Sequence, residues 1–279
     1  MNRISLASGV VPECGPVDTL RAAAAGGFDA VGLWIEPPAW TAQVMREAKA
    51  ALADSGLQLL DVEVIWLKPH SDMDDHKRSI DIGIELGASN VLCVSSDPDL
   101  AATAGRLAEL CVHAERGGGI RVALEFGVFT EVKTIGSALT VLEAVAHPLR
   151  ALLIDPLHVD RSGATAADVA AVPPELLPYA QFCDAPATRP DPGDFEAVIT
   201  DAIDLRLQLG EGGLPLHEML HALPVDIPLA IELRSKALRD GYPDPRERAR
   251  VTALATRAWL LSAVRSNQAC PAAHRSRIA

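Results

Sequence analysis

The chain has 279 residues, 49% of them hydrophobic, 22% charged and only 4% aromatic, so a globular core has to be built mainly from Ala, Val, Leu and Ile. A formal net charge of -12 opposes binding to phosphate backbones, which requires clustered Lys and Arg, and nucleic acid is not an expected partner. The stretch Met1 to Ser8 lacks the apolar run of a signal peptide, and no segment approaches the roughly 20 apolar residues of a membrane span; the expectation is a cytoplasmic protein without a membrane partner.

Eight short aliphatic or β-branched runs follow one another: Ile4 to Ser8, Ala30 to Trp34, Gln58 to Trp66, Asn90 to Val94, Arg121 to Phe126, Ala151 to Ile154, Tyr179 to Cys183, and Pro228 to Leu233. Most are apolar almost throughout, as strands buried on both faces of a parallel sheet must be, and lack the alternation of a half-solvated sheet. Between them lie segments with apolar residues at helical spacing, such as Val44, Ala48 and Leu52, or Leu139, Leu142 and Val145, or Val251, Leu254, Ala258 and Leu261. Glycine marks several helix ends, at Gly26-Gly27, Gly56, Gly87 and the run Gly117 to Gly119. Eight such units predict a single (β/α)8 barrel over residues 1–264. The unit after the seventh run carries an insertion, Ala185 to Gly193, and a loop, Leu209 to Pro215; residues 265–279 lose the periodicity and are expected to form an exposed or mobile tail.

Barrel enzymes assemble their sites from the C-terminal ends of the strands, so an ionisable residue closing an apolar run is the informative feature. The fifth run ends in Glu125, the sixth is followed by Asp155, the seventh contains Gln181 and ends before Asp184, and the eighth leads into Glu232. Carboxylates gathered at buried strand ends repel one another and are costly to desolvate, and a cation stabilises them directly. Oxygen ligands favour Mg or Mn; His158 would add a nitrogen ligand and move the preference toward Mn, Co or Zn. Each residue taken singly has a plainer reading, an ion pair with a loop Arg or a helix cap at Asp155.

The segments Ala123-Leu124-Glu125-Phe126, Leu153-Ile154-Asp155-Pro156-Leu157-His158, Gln181-Phe182-Cys183-Asp184-Ala185-Pro186, Gly210-Glu211-Gly212 and Ile231-Glu232-Leu233-Arg234 resemble the xylose isomerase-like barrels grouped as sugar phosphate isomerases/epimerases. That family includes ketose 3-epimerases, hydroxypyruvate isomerases and inosose dehydratases, and the resemblance runs from Ile4 to Leu261. It implies one divalent metal ion held by Glu125, Asp155, Gln181 and Glu232. Gln181 stands where the family has His, an amide found in some members. The resemblance also implies that Glu125 and Glu232 move a proton on and off the carbon beside a carbonyl of a sugar-like polyol or ketose, through an enediolate held by the metal. His158 resembles a family position that binds a substrate hydroxyl and is a further candidate for proton transfer.

Other candidates for substrate contact are weighed against packing roles. Glu63 offers a second carboxylate and Trp66 an apolar wall; Arg234, two residues beyond Glu232, either binds a substrate anion or pairs with that glutamate. Asp184 would serve as an acid in a lyase, and Glu211 either covers the site or is a solvated turn residue. Trp34, Glu36, His70, Arg189 and Lys236 rank lower. Of the five cysteines only Cys183 lies near the candidate site, and no Cys-x-x-Cys or Gly-x-Gly-x-x-Gly signal is present. The leading expectation is an isomerase or epimerase. A metal-dependent lyase or dehydratase acting on a keto-polyol or sugar conjugate is the alternative, a DNA-repair endonuclease or non-catalytic subunit ranks below both, and self-association is left open.

Overall fold

The computed structural model describes residues 2–268. All eight runs become strands: β1 (Ile4–Leu6), β2 (Ala30–Trp34), β3 (Gln58–Leu67), β4 (Asn90–Ser95), β5 (Arg121–Glu125), β6 (Arg150–Leu153), β7 (Ala180–Phe182) and β8 (Leu229–Ile231). They pair in parallel in the order β6-β5-β4-β3-β2-β1-β8-β7, and a single parallel bridge, Ile154 to Ala180, joins the two ends into a barrel.

The helices α1 (Pro16–Gly26), α2 (Ala42–Ser55), α3 (Met73–Leu86), α4 (Leu100–Gly117) and α5 (Ile135–Ala144) each return the chain to the next strand. The short α6 (Pro156–Arg161) and α7 (Ala166–Ala170) cross between β6 and β7, and α8 (Phe195–Asp204) and α9 (Leu216–Ala222) between β7 and β8; α10 (Lys236–Gly241) and α11 (Pro245–Gln268) complete the ring. Caps at both ends explain where several helices stop. Asp72 and Asp99 accept backbone N–H bonds at the starts of α3 and α4, and Gly56 and Gly87 end α2 and α3 at φ of 67° and 79°, a conformation costly for other residues. The last helix continues through Gln268, four residues beyond the expected end of the barrel, and residues 269–279 of the expected tail lie outside the described residues.

Alternation along the strands divides the core in two. Val31, Val62, Val91, Val122 and Leu152 pack outward with helix residues such as Leu107 and Leu142, whereas Leu60, Leu92, Ala123, Ala151 and Ala230 form a smaller inner cluster. The alanines leave room inside the barrel for Tyr179, whose hydroxyl donates to Asp61 Oδ2 at 3.4 Å. Asp61 Oδ1 has no partner, and the carboxyl is fully buried.

Burial, reinforced by the negative charges of Glu63 and Glu232, pushes the Asp61 carboxyl well above the usual carboxylate range. A carboxyl that keeps its proton in the folded chain stabilises the fold most below its unfolded pKa near 4, and that contribution disappears as pH rises through the raised folded value. Asp61→Asn is therefore expected to stabilise the protein by about 1–3 kcal/mol at pH 8 and by much less at pH 5. Thermal denaturation at both values checks this, and an equal gain at the two would count against an ionisation penalty at Asp61.

Candidate active site

The C-terminal ends of β3, β5, β6 and β8 deliver Glu63, Glu125, Asp155 and Glu232 to one side of the barrel, all buried. Asp155 lies two residues past β6 and caps α6, with Oδ1 accepting from Leu157 N at 2.8 Å. The turn of helix that begins there returns His158 to the same mouth. Its Nε2 lies 3.8 Å from Glu125 Oε1 and 3.9 Å from Asp155 Oδ2. Glu125, Asp155 and His158 each offer a donor atom within 4.8 Å of the others.

Gln181 on β7 is fully buried, and neither its amide oxygen nor its nitrogen has a hydrogen-bond partner; Glu125 Oε1 is in the same condition. Buried polar groups are ordinarily satisfied, so the unpartnered oxygens of Gln181 and Glu125 fit ligation of a cation. The charges agree. If Glu63, Glu125, Asp155 and Glu232 all ionise, the two guanidinium groups that meet them leave a surplus of two negative charges, which one divalent ion offsets.

One of those guanidinium groups, Arg206, is absent from the sequence expectation. Its Nη1 donates to Asp155 Oδ2 at 2.5 Å and approaches Cys183 Sγ at 3.1 Å, Nη2 lies 3.3 Å from Glu232 Oε2, and Nε donates to Ala202 O at 2.8 Å. Arg206 sits in an extended segment after α8, held by antiparallel bridges from Leu205 to Ser235 and from Leu207 to Asp184. Extended backbone sends neighbouring side chains to opposite faces, so the arginine turns inward between two leucines that do not. The other guanidinium, Arg234, donates from Nε to Glu232 Oε1 at 3.0 Å. Glu232 is thus gripped by two arginines and is not one of the three clustered donors.

These neighbours set the protonation states. Burial pushes Asp155 up, but Arg206 and His158 pull it further down, and its carboxyl ends below the usual range. Burial, with Glu232 and Asp155 nearby, holds Glu125 well above that range, and burial with Glu232 raises Glu63 despite Arg234 and the Ser8 N–H that donates to Glu63 Oε1 at 3.1 Å. Burial lowers the His158 pKa in spite of Asp155, favouring a neutral imidazole with a free lone pair. The Cys183 thiol is pushed well above its usual pKa by burial and donates toward Asp155 Oδ1 at 3.7 Å, an arrangement that withholds a thiolate.

A cavity of about 270 Å³ opens over this floor, and Glu63, Trp66, Glu125, His158, Glu232 and Arg234 all line it. Asp184 and Glu211 do not. The Asp184 carboxylate accepts backbone N–H bonds from Ala185, Gly210, Gly212 and Leu214 at 2.8–3.1 Å, which organises the loop after β7 and leaves it no free oxygen for substrate. Glu211 is exposed within that loop. Among the lower-ranked residues, Trp34 lines the cavity and donates to Glu36 at 3.2 Å; Arg189 pairs with Asp160, Lys236 pairs with Asp240, and His70 lies on an exposed turn.

Residues 20–258 match the family model described as xylose isomerase-like TIM barrel. No curated protein sequence matches the chain significantly. Among solved structures, a xylose isomerase-like TIM barrel/4-hydroxyphenylpyruvate dioxygenase fusion protein superposes with a TM-score of 0.77 at 20% identity, over 98% of this chain and 45% of its own. The chain therefore spans less than half of that protein. The IolI protein with a bound zinc atom gives 0.73 at 15% identity, over 95% and 98% of the two chains. D-allulose 3-epimerase from Methylomonas sp. in complex with D-allulose gives 0.65 at 15% identity, over 91% and 95%. Structural likeness at these identities establishes the fold alone, whereas the family match covers most of the sequence: the chain belongs to the xylose isomerase-like TIM barrel family.

Proposed function

We propose that the protein is a divalent-metal-dependent isomerase or epimerase of a sugar-like polyol or ketose, working by proton transfer at the carbon beside a carbonyl. The observation that carries this reading is the convergence of Glu125, Asp155 and His158 within 4.8 Å beside the unpartnered Gln181 amide. These residues would hold the ion. Glu232, assigned as a ligand by family resemblance, would complete the set by turning an oxygen away from its arginines. The mixed oxygen and nitrogen donors suit Mn, Co or Zn as well as Mg, and the zinc in the IolI structure is in keeping with that range. When bound, a divalent ion would polarise the carbonyl and hydroxyl oxygens of a substrate and acidify the neighbouring C–H.

The protein's own groups divide the remaining work. Glu125 lines the cavity and has an oxygen without a hydrogen-bond partner and a raised proton affinity, so it accepts a proton more readily than an ordinary carboxylate. Glu232, paired with Arg206 and Arg234, returns a proton from the other strand end. Glu63, anchored on the Ser8 N–H, orients a hydroxyl group. A lyase on the same scaffold would share the first proton transfer, and one observation favours it as the second reading. The fixed positive charges of Arg206 and Arg234 lie where an oxygen leaving as an anion would be stabilised.

Elemental analysis of protein purified without added metal tests the assignment. About one divalent ion per chain is expected, with most of it lost in Asp155→Asn and Gln181→Leu; full occupancy in both variants would remove the basis of the reading. Chelation should lower the melting temperature, because an ion bound only by the folded state at a hundredfold its dissociation constant stabilises it by about 2.7 kcal/mol.

A further inference from the structure

The walls of the cavity differ in chemistry from its floor. The ionisable side chains that line it come from β3, from the ends of β5 and β8, from the first turn of α6 and from the extended segment carrying Arg206. Above that floor stand Trp34, Trp66 and Phe129, with Val94 paired to Trp66 across the β3–β4 ladder, and Ile199 and Ile203 of α8. The two indole N–H groups, the polar atoms these tryptophans contribute, are turned away and used elsewhere: Trp66 donates to Ser96 Oγ at 2.9 Å and Trp34 to Glu36 Oε1 at 3.2 Å. Trp66 and Phe129 meet edge to face at 6.1 Å, and Phe129 tilts against His158 at 5.2 Å, so the aromatic surface begins at the clustered donors and runs outward. Ile199 and Ile203 extend the apolar surface along α8, one turn apart, and Ile203 is 42% exposed among the described residues.

A fully hydroxylated ketose suits this cavity poorly. Its chelating end would find partners on the floor, but each hydroxyl turned to the walls would give up hydrogen bonds to water and receive none. An apolar ring in the same place would bury its faces against aromatic and aliphatic surface. We propose that the substrate is amphiphilic: a hydroxyketone head seated on the floor, joined to a planar apolar ring held between the Trp66–Phe129 face and the Ile199–Ile203 stripe. The position of the head rests on the metal-site reading of the floor; the preference for a ring rests on the walls alone.

Two small probes separate these parts. 2-Hydroxyacetophenone and dihydroxyacetone share the hydroxyketone and differ in a phenyl ring, and their binding is measured by calorimetry on the full chain with and without Mn²⁺. 2-Hydroxyacetophenone is expected to bind at least tenfold more tightly. Ile203→Asn, on a half-exposed helix face, and Val94→Thr, nearly isosteric, should each reduce that ratio at least threefold. Equal affinity for the two probes, no detectable binding of 2-hydroxyacetophenone, or a preference that survives both substitutions would overturn the proposal. A phenyl preference in protein that binds no Mn²⁺ would leave the proposal standing and overturn the metal reading instead, so the two fail independently.

Discussion

Glu125→Gln is expected to leave the barrel folded and to reduce exchange of the substrate α-hydrogen with solvent by about 10² to 10⁴-fold, the range supplied by a positioned general base. The amide is close to isosteric and keeps an oxygen at the cavity wall, so packing at the end of β5 changes little. What it loses is the ability to take a proton. The acid limb set by the raised Glu125 carboxyl should accordingly be missing from the pH profile of the residual activity. The measurement is deuterium incorporation from heavy water into a panel of ketoses and hydroxyketones. Wild-type-like exchange in the variant would assign the proton transfer elsewhere, with Glu232 the next candidate, and turnover that requires a nicotinamide or flavin and shows no exchange would dismiss the isomerase reading.

The second large effect is one of stability. Arg206→Met keeps most of the side-chain volume but removes the guanidinium that touches both Asp155 and Glu232. Deleting one partner of a buried ion pair leaves charge without compensation and typically costs about 3–5 kcal/mol; here Asp155 loses its guanidinium partner, whereas Glu232 keeps Arg234. Denaturant unfolding of metal-free protein reads the loss directly, and a change under about 1 kcal/mol would show that the arginine is not the principal counter-charge. The pH dependence has a defined sign. Asp155 is held below its unfolded pKa by Arg206, so it contributes stability above pH 4 or so that is lost as pH falls through its depressed folded value. In Arg206→Met that acid-side loss should vanish because there is little left to lose. Added divalent metal should recover part of the deficit, since Asp155 then meets a cation without Arg206 beside it.

How much of this was legible beforehand follows from the range over which each feature is determined. The strands were readable because a parallel strand covered on both faces is apolar nearly throughout, and Arg121 to Glu125 or Asn90 to Ser95 has few other ways to be buried. Strand ends shifted by a residue or two; Tyr179 and Cys183 flank β7 without joining its ladder. Glu125, Asp155, Gln181 and Glu232 stand out as candidates because each closes, follows or sits in such a run. Arg206 was missed because it belongs to no strand, and only the folded path of the segment after α8 brings it 51 residues along the chain to Asp155. The signal available was its place between Leu205 and Leu207 just before the Gly210-Glu211-Gly212 turn. Asp184 shows the opposite failure. A carboxylate at a strand end looks reactive in sequence, and its four backbone donors come from residues whose approach no local pattern records.

The closure of the barrel has a consequence of its own. Strands β6 and β7, one leading through Ile154 to Asp155 and the other carrying Gln181, are the two ends of the sheet order, joined among the described residues by one bridge from Ile154 to Ala180. Seven of the eight junctions around the barrel are zipped by ladders, and the eighth is basted with a single stitch. Local opening concentrates where backbone pairing is thinnest, so the seam is where the cylinder should gape first. A ligand clasped by both lips of that seam would suture it, and occupancy of the active centre would then be felt as the tightness of the whole wall.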